Sequence, residues 1–289
     1  NHQYSELLTI KLASSSNSFD QLPAIDTQTI IINDVIKDIS VKNKPAKISY
    51  KYGESFSSNG GQIDVNYMSG ATSVISMGNA SVSFTETDGS TINMSPSASE
   101  FTNQVTTKTI KVIYSNNGSS YDTSFNITIR DDIDTIAITQ DPTLVFNHGD
   151  AFDASNGKLT VNYKSGNSVI VDLDEATITE SDGSTVEMSP LASKYVNNKL
   201  TKQLKVTYGG EETSYNITLQ NVVDSIAIGS VSPKTTYNLN DSTVGVGGNI
   251  LVTRKAGNTE DVNIEDSMVS GLNTSLAGTG KTATVTYTD

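Results

Sequence analysis

The sequence contains no cysteine and no tryptophan, only two histidines and only six prolines. Without cysteine there is no disulfide, no thiol nucleophile and no thiolate zinc site. With His2 and His148 as the only imidazoles, a Ser-His-Asp triad has almost nothing to be built from. Basic residues are also short. The 19 Lys and Arg face 32 Asp and Glu, for a net charge of −13 and a pI near 4.5. That balance excludes a phosphate-binding surface and therefore nucleic-acid partners. No apolar run is long enough for a membrane-spanning helix, so membrane insertion is not expected. The chain opens on Asn, without a basic segment leading into an apolar one, which predicts either a leader already removed or an internal segment. A disulfide-free chain rich in Asn, Ser and Thr fits a bacterial surface or virion protein better than a stapled animal domain.

What the sequence does contain is an echo. Thr85-Glu-Thr-Asp-Gly-Ser-Thr-Ile-Asn-Met-Ser-Pro96 returns about 94 residues later as Thr179-Glu-Ser-Asp-Gly-Ser-Thr-Val-Glu-Met-Ser-Pro190. Ile63–Gly70 matches Leu159–Gly166, Gly53–Phe56 matches Gly149–Phe152, and Ile110–Tyr114 matches Leu204–Tyr208. Phe125–Ile129 matches Tyr215–Leu219, and Ile136–Ile138 returns as Ile226–Ile228. A third copy aligns Gly248–Gly257 with Gly157–Gly166 and Thr282–Tyr287 with the Leu204–Tyr208 strand. At the start, Leu8–Leu12 and Gln28–Ile32 read as the last two strands of an earlier copy. The expected domains are 1–37 (final strands of a truncated unit), 38–132, 133–222, and 223–289 (a unit lacking its last strand).

Each unit reads as β throughout. Ile63, Val65 and Tyr67 alternate with Asp64 and Asn66, the period of two of a half-buried strand. Asn59-Gly60-Gly61, Asn116-Asn117-Gly118 and Gly209-Gly210 punctuate the runs where a turn needs positive φ. No segment sustains a helical apolar stripe. The fold class expected is all-β: tandem immunoglobulin-like β-sandwich domains in an elongated array, joined by short junctions such as Arg130–Ile136.

The third copy reads Val269-Ser-Gly-Leu-Asn-Thr-Ser-Leu-Ala-Gly278, then Lys281-Thr-Ala-Thr-Val-Thr-Tyr287. This resembles the group 3 bacterial immunoglobulin-like repeat, as do Phe146–Asp150 and Val161–Gly166. The first two units depart from that pattern at Thr102–Thr107 and Val196–Thr201, where the family has a glycine. The resemblance implies an extracellular setting, as in adhesins and surface layers, and no shared active site.

Candidate chemistry is sparse. The turns at Glu86, Asp88 and Gly89 and at Glu180, Asp182 and Gly183 offer oxygen ligands for calcium, but lack EF-hand spacing; a plain Asp-Gly turn accounts for them. The junction acids Asp131, Asp132, Asp134 and Asp224 raise the same question, and a solvated linker answers it. A Lys–Asn isopeptide bond would use Asn126 or Asn216 with Lys47, yet the second unit has Leu144-Val145-Phe146 in place of that lysine. Tyr67, Tyr163 and Tyr208 fall at inward strand positions and are expected in the core rather than on a sugar-stacking face. The sequence therefore predicts no enzyme, no catalytic or metal residues and no cofactor. It predicts a structural or interaction array whose partners are a surface protein, a glycan or copies of itself. The alternatives are a phage virion decoration or fibre domain, and a carbohydrate-binding accessory module of a secreted enzyme. An orphan strand at 27–32 and an open last unit also suggest head-to-tail strand completion between copies.

Overall fold

The computed structural model describes residues 3–9, 27–243 and 245–289, with 3–9 and 27–32 as backbone alone. The chain falls into two compact units. The first comprises Asn1–Asp132 with Tyr163–Asn167, the second Ile133–Asn162 with Ser168–Asp289.

The first unit begins with β1 (Gln3–Thr9) paired antiparallel to β2 (Thr27–Asn33), Gln3 opposite Asn33 and Thr9 opposite Thr27. The expected strand at Leu8–Leu12 is thus displaced towards the start of the chain, because this ladder uses all seven residues of β2. Residues 10–12 lie outside the described residues. Next come β3 (Ile36–Asn43), β4 (Ser49–Lys51), β5 (Gln62–Tyr67), β6 (Thr72–Ser76), β7 (Val82–Thr85), β8 (Val105–Asn116) and β9 (Ser119–Arg130). They form a three-stranded sheet ordered β3-β5-β6 and a four-stranded sheet ordered β4-β9-β8-β7. Alternation turns Ile39, Ile63 and Val65 of one sheet towards Ile110, Val112, Ile127 and Ile129 of the other, in one buried cluster. The short β4 lies parallel to the end of β9, Ser49 opposite Thr128 and Lys51 opposite Arg130.

The second unit repeats this plan with β10 (Ile133–Gln140), β11 (Val145–Asn147), β12 (Lys158–Tyr163), β13 (Ser168–Asp172), β14 (Thr177–Glu180), β15 (Lys199–Tyr208) and β16 (Glu211–Gln220). The orders are β10-β12-β13 and β11-β16-β15-β14, and Val145 again pairs in parallel with Thr218. Leu159, Val161, Leu204, Val206 and Leu219 are fully buried. The third copy has β17 (Val223–Ile228), β18 (Asn249–Arg254) and β19 (Thr259–Asn263) in one sheet, and β20 (Val269–Ser270) with β21 (Thr284–Val285) in another. Its buried cluster is only Ile250, Val252 and Ile264. The strand expected over 282–287 contracts to two residues, since β20 offers only two partners.

One glycine in each full sandwich lets it close. A Cβ on Gly61 would strike the Met77 sulfur, and one on Gly157 would lie 2.6 Å from Leu173 Cδ2. Met77 and Leu173 are buried in equivalent places, so a bare backbone is needed beneath them. The tyrosines correct one expectation. Tyr67 is buried, but Tyr163 and Tyr208 are only half-buried. They are the last residues of β12 and β15, where the sandwich covers a side chain on fewer sides. Among the described residues, helix is confined to single 3-10 turns such as Ala98–Glu100 and Ala192–Lys194.

Candidate functional site

His148 does not face a nucleophile. Its Nδ1 lies 2.9 Å from the Tyr195 hydroxyl, and the rings pack at 5.9 Å between centroids. The first copy has Tyr52 and Phe101 in the same place at 6.3 Å, so the pair is a packing contact with one polar substitution. His2 lies outside the described residues.

The acidic turns are closed on themselves. Ser90 N–H donates to Asp88 Oδ1 at 2.9 Å, and Ser184 N–H to Asp182 Oδ1 at 2.9 Å. Gly89 and Gly183 supply φ of +88° and +87°. Hydrogen bonds from Ser90 and Ser184 hold both carboxyls below the usual aspartate range.

The junction acids have separate employments. Asp131 is buried and accepts the Ser165 N–H at 3.1 Å and the Ser165 hydroxyl at 2.5 Å. Asp34 does the same for Ser69, at 3.2 Å and 2.5 Å. In the third copy Asn221, also buried, accepts the Ala256 N–H at 2.8 Å. The device is one acceptor, placed just before the first strand, that caps a hairpin turn. Asp132 pairs with Lys51 at 3.5 Å and with Arg130 at 3.1 Å, while Asp134 and Asp224 are exposed. Among the described residues no three His, Cys, Asp or Glu side chains converge on a metal position. Nor do the isopeptide candidates meet. Lys47 pairs with Glu54, and Asn126 Oδ1 accepts the Thr109 hydroxyl at 2.9 Å.

Two features were not singled out in the sequence. One is a lysine turned inward under the excursion that separates the last two long strands from the rest. Lys108, 12% exposed at its side chain, lies 3.5 Å from Glu86 and 2.6 Å from Glu100. Burial opposes its charge, but the bond to Glu100 and the nearby Glu86 raise its pKa above the ordinary lysine value. The same bond, with that from Ser97 N–H, holds Glu100 low. Lys202, 9% exposed, lies 2.7 Å from Glu180 and 3.8 Å from Glu187. The signal was the shared offset of Glu86/Glu180 and Lys108/Lys202 within the echo.

The other feature is the outward face of β8–β9 and of β15–β16. Thr107 stands opposite Thr128, Thr109 opposite Asn126 and Lys111 opposite Ser124. In the second copy Thr201 stands opposite Thr218, Gln203 opposite Asn216 and Lys205 opposite Ser214. Lysine and acid pair diagonally, Lys111 to Asp122 at 3.5 Å and Lys205 to Glu212 at 3.2 Å. Thr85 and Thr179, across the ladder from Lys111 and Lys205, each hold a buried Oγ1 with no hydrogen-bond partner. A shallow depression of about 270 Å³, lined by Ser181, Gln203, Lys205, Glu212, Thr213 and Ser214, opens on this face of the second copy.

No family model matches the chain, and no curated protein matches it. Among solved structures, mouse clustered PcdhgC3 EC1-3 matches over 75% of this chain and 76% of its own length, at 10% identity and a TM-score of 0.34. Protocadherin gamma B2 extracellular cadherin domains 1-5 match over 98% of this chain, at 12% identity and a TM-score of 0.33. The S-layer protein rSbsC matches over 90%, at 15% identity and a TM-score of 0.25. The chain spans 58% and 42% of those last two. The chain is all-β, and the structures it is similar to are tandem cadherin- and immunoglobulin-like domains and surface-layer proteins.

Proposed function

We propose that this chain is a non-catalytic array of immunoglobulin-like modules in an extracellular bacterial surface protein, as an adhesin stalk or surface-layer component. Its modules are 38–132, 133–222 and 223–289, preceded by the final strands of another over 1–37. One observation carries the reading. The second sandwich reproduces the first strand for strand, in the same sheet orders, with the short β4 and β11 each parallel to the last long strand. Repetition of this kind supplies reach and surface, not a unique cleft. Several polar groups weighed as chemistry support it, since Asp88 and Asp182 close their own turns and Lys47 pairs with Glu54. The short motifs of the third copy resemble those of the group 3 bacterial immunoglobulin-like repeats, which supports the bacterial surface setting. Its partners are a surface protein, a glycan or copies of itself. Labelling intact producing cells with antibody against residues 1–289, followed by surface proteolysis, tests the setting. The expected result is labelling lost on protease treatment. Antigen found only after lysis overturns it.

A further inference from the structure

We infer that β13, the outer strand of the second module's three-stranded sheet, pairs antiparallel with β13 of a second copy of this chain, Ile170 opposite Ile170. This rests on the proposed interaction array and selects one partner for it. Three observations converge.

First, the backbone of this edge faces open space. The order β10-β12-β13 gives β13 a strand neighbour on one side only. At its two ends, Tyr163 N–H donates to Asn167 C=O at 2.8 Å and Leu173 N–H to Gly157 C=O at 3.0 Å. Bonded pairs alternate along an antiparallel ladder. Val169 and Val171 therefore spend their backbone groups on β12, and Ile170 turns its N–H and C=O outward. Such an edge is a template for another strand.

Second, the usual defences of an edge are missing here and present elsewhere. In the first module, β3 at the far edge of the matching sheet carries the exposed Lys37 and Lys42. Its register also breaks between Ile36 and Asp38 and between Val41 and Asn43. The register of β13 and of its counterpart β6 is unbroken, and neither strand contains lysine or proline. At the centre of each a β-branched apolar side chain stands in solvent, Ile170 at 66% and Val74 at 46% exposure. Ile170 lies opposite Thr160, Val74 opposite Asp64, and in the third module Asp261 opposite Leu251. Asp261 thus holds the equivalent place, where like charges facing each other would block the same pairing. Beside Ile170, Val169 is exposed as well, where β6 has Ser73. That difference singles out β13.

Third, the strand complements itself. A two-fold axis through Ile170 makes an isologous contact. It sets Val169 opposite the partner's Val171, on the face where Leu159 and Val161 are buried, so the apolar layer continues across the join. It sets Asp172 opposite Ser168, and Asp172 is already paired with Lys158. No acid meets an acid along the ladder. The net charge of −13 repels two copies at long range, but physiological salt screens that beyond about 8 Å. A contact of this size is weak and reversible.

The test is sedimentation velocity of residues 1–289 in about 0.15 M salt, from about 1 μM to about 1 mM, the range of a weak contact. A mass rising towards twice that of the monomer is expected. Ile170→Asp, which writes the third module's residue into β13, should weaken association at least about tenfold with an unchanged melting temperature. Because the chain has no cysteine, Ile170→Cys carries a single thiol. In the paired strands two such residues have Cα atoms about 5.5 Å apart, a span a disulfide bridges. Under mild oxidation this variant should cross-link into dimers faster than Asp261→Cys. A monomer throughout the range, association untouched by Ile170→Asp, or equal cross-linking of the two cysteine variants overturns the inference. Association abolished by Val74→Asp instead would move the contact to the first module, and overturn it too. Each failure leaves the surface setting standing, because that rests on cell labelling.

Discussion

Lys108 Nζ lies 2.6 Å from Glu100, yet the residue at the place of Glu100 in the second sandwich is Lys194. The second sandwich restores the balance with Glu187, which stands where the first has Asn93. Glu187 lies 3.8 Å from Lys202 and 3.7 Å from Lys194. The anchor persists as a set of charges while its residues change places.

That relationship predicts a rescue. Glu187→Asn alone should destabilise the chain, because Lys202 and Lys194 both lose the Glu187 carboxylate and Glu180 is left as the acidic partner of Lys202. Adding Lys194→Glu rebuilds the arrangement of the first copy and should recover at least about half of the loss. Lys202→Met should cost about 1–3 kcal/mol, less than the ~3–5 of a fully buried broken pair, since Glu180 keeps part of its exposure. Urea denaturation of Glu187→Asn, Lys194→Glu and the double variant, read as a double-mutant cycle, decides the rescue, and the same measurement on Lys202→Met gives the anchor's worth.

Asp131 and Asn221 hold equivalent positions with different chemistry, so Asp131→Asn should cost less than about 1 kcal/mol. Asp131→Ala strands the Ser165 N–H and hydroxyl and should cost about 1–3 kcal/mol. The melting temperatures report both. Because Asp131 is spent on a turn rather than on a cation, chelation with EDTA should leave them in place.

Acid should act on the third copy through Arg254, which is 3% exposed and takes the place held by tyrosine in the other two. Its guanidinium donates to Asp289 at 2.5 and 2.7 Å and to Glu260 at 2.7 Å. The bonds from Arg254 hold the Asp289 carboxyl below its ordinary value. A depressed carboxyl stabilises the fold above the unfolded pKa, about 3.9, and the contribution fades as pH falls through the folded value. Asp289→Asn should therefore be less stable than the parent at pH 7, and the gap should close below about pH 4. A gap independent of pH between 7 and 3 would refute this.

Gly157→Ala pushes a methyl into Leu173 and should cost about 1–3 kcal/mol by overpacking. Adding Leu173→Ala should relieve the clash while leaving its own cavity, so the two losses should fall short of additive by thermal denaturation.

Much of this was legible in the chain. Alternation at Ile63–Tyr67 and Leu159–Tyr163 located strands and core, because a buried face writes a period of two whatever its neighbours. The Asp88-Gly89 turns were legible because positive φ demands glycine. The inward lysines were not, since Lys108 and Lys202 sit on apolar-facing positions that only the overlying excursion neutralises. The capping role of Asp131 was hidden for the same reason: Ser165 is a distant residue, and a lone acid in a junction reads equally as solvated or as a ligand. The rim position of Tyr163 and Tyr208 depends on where a strand ends, which periodicity does not encode.

The parallel pairing of β4 with β9 has a mechanical side. In the first sandwich the chain enters near Ile36 and leaves at Arg130, and Ser49–Lys51 runs alongside Thr128–Arg130 in the same direction. Tension between entry and exit pulls these neighbours along their own length in opposite senses. Their hydrogen bonds must then slide and rupture together rather than peel one by one. A module so wired resists a tug on the chain better than its modest core alone suggests.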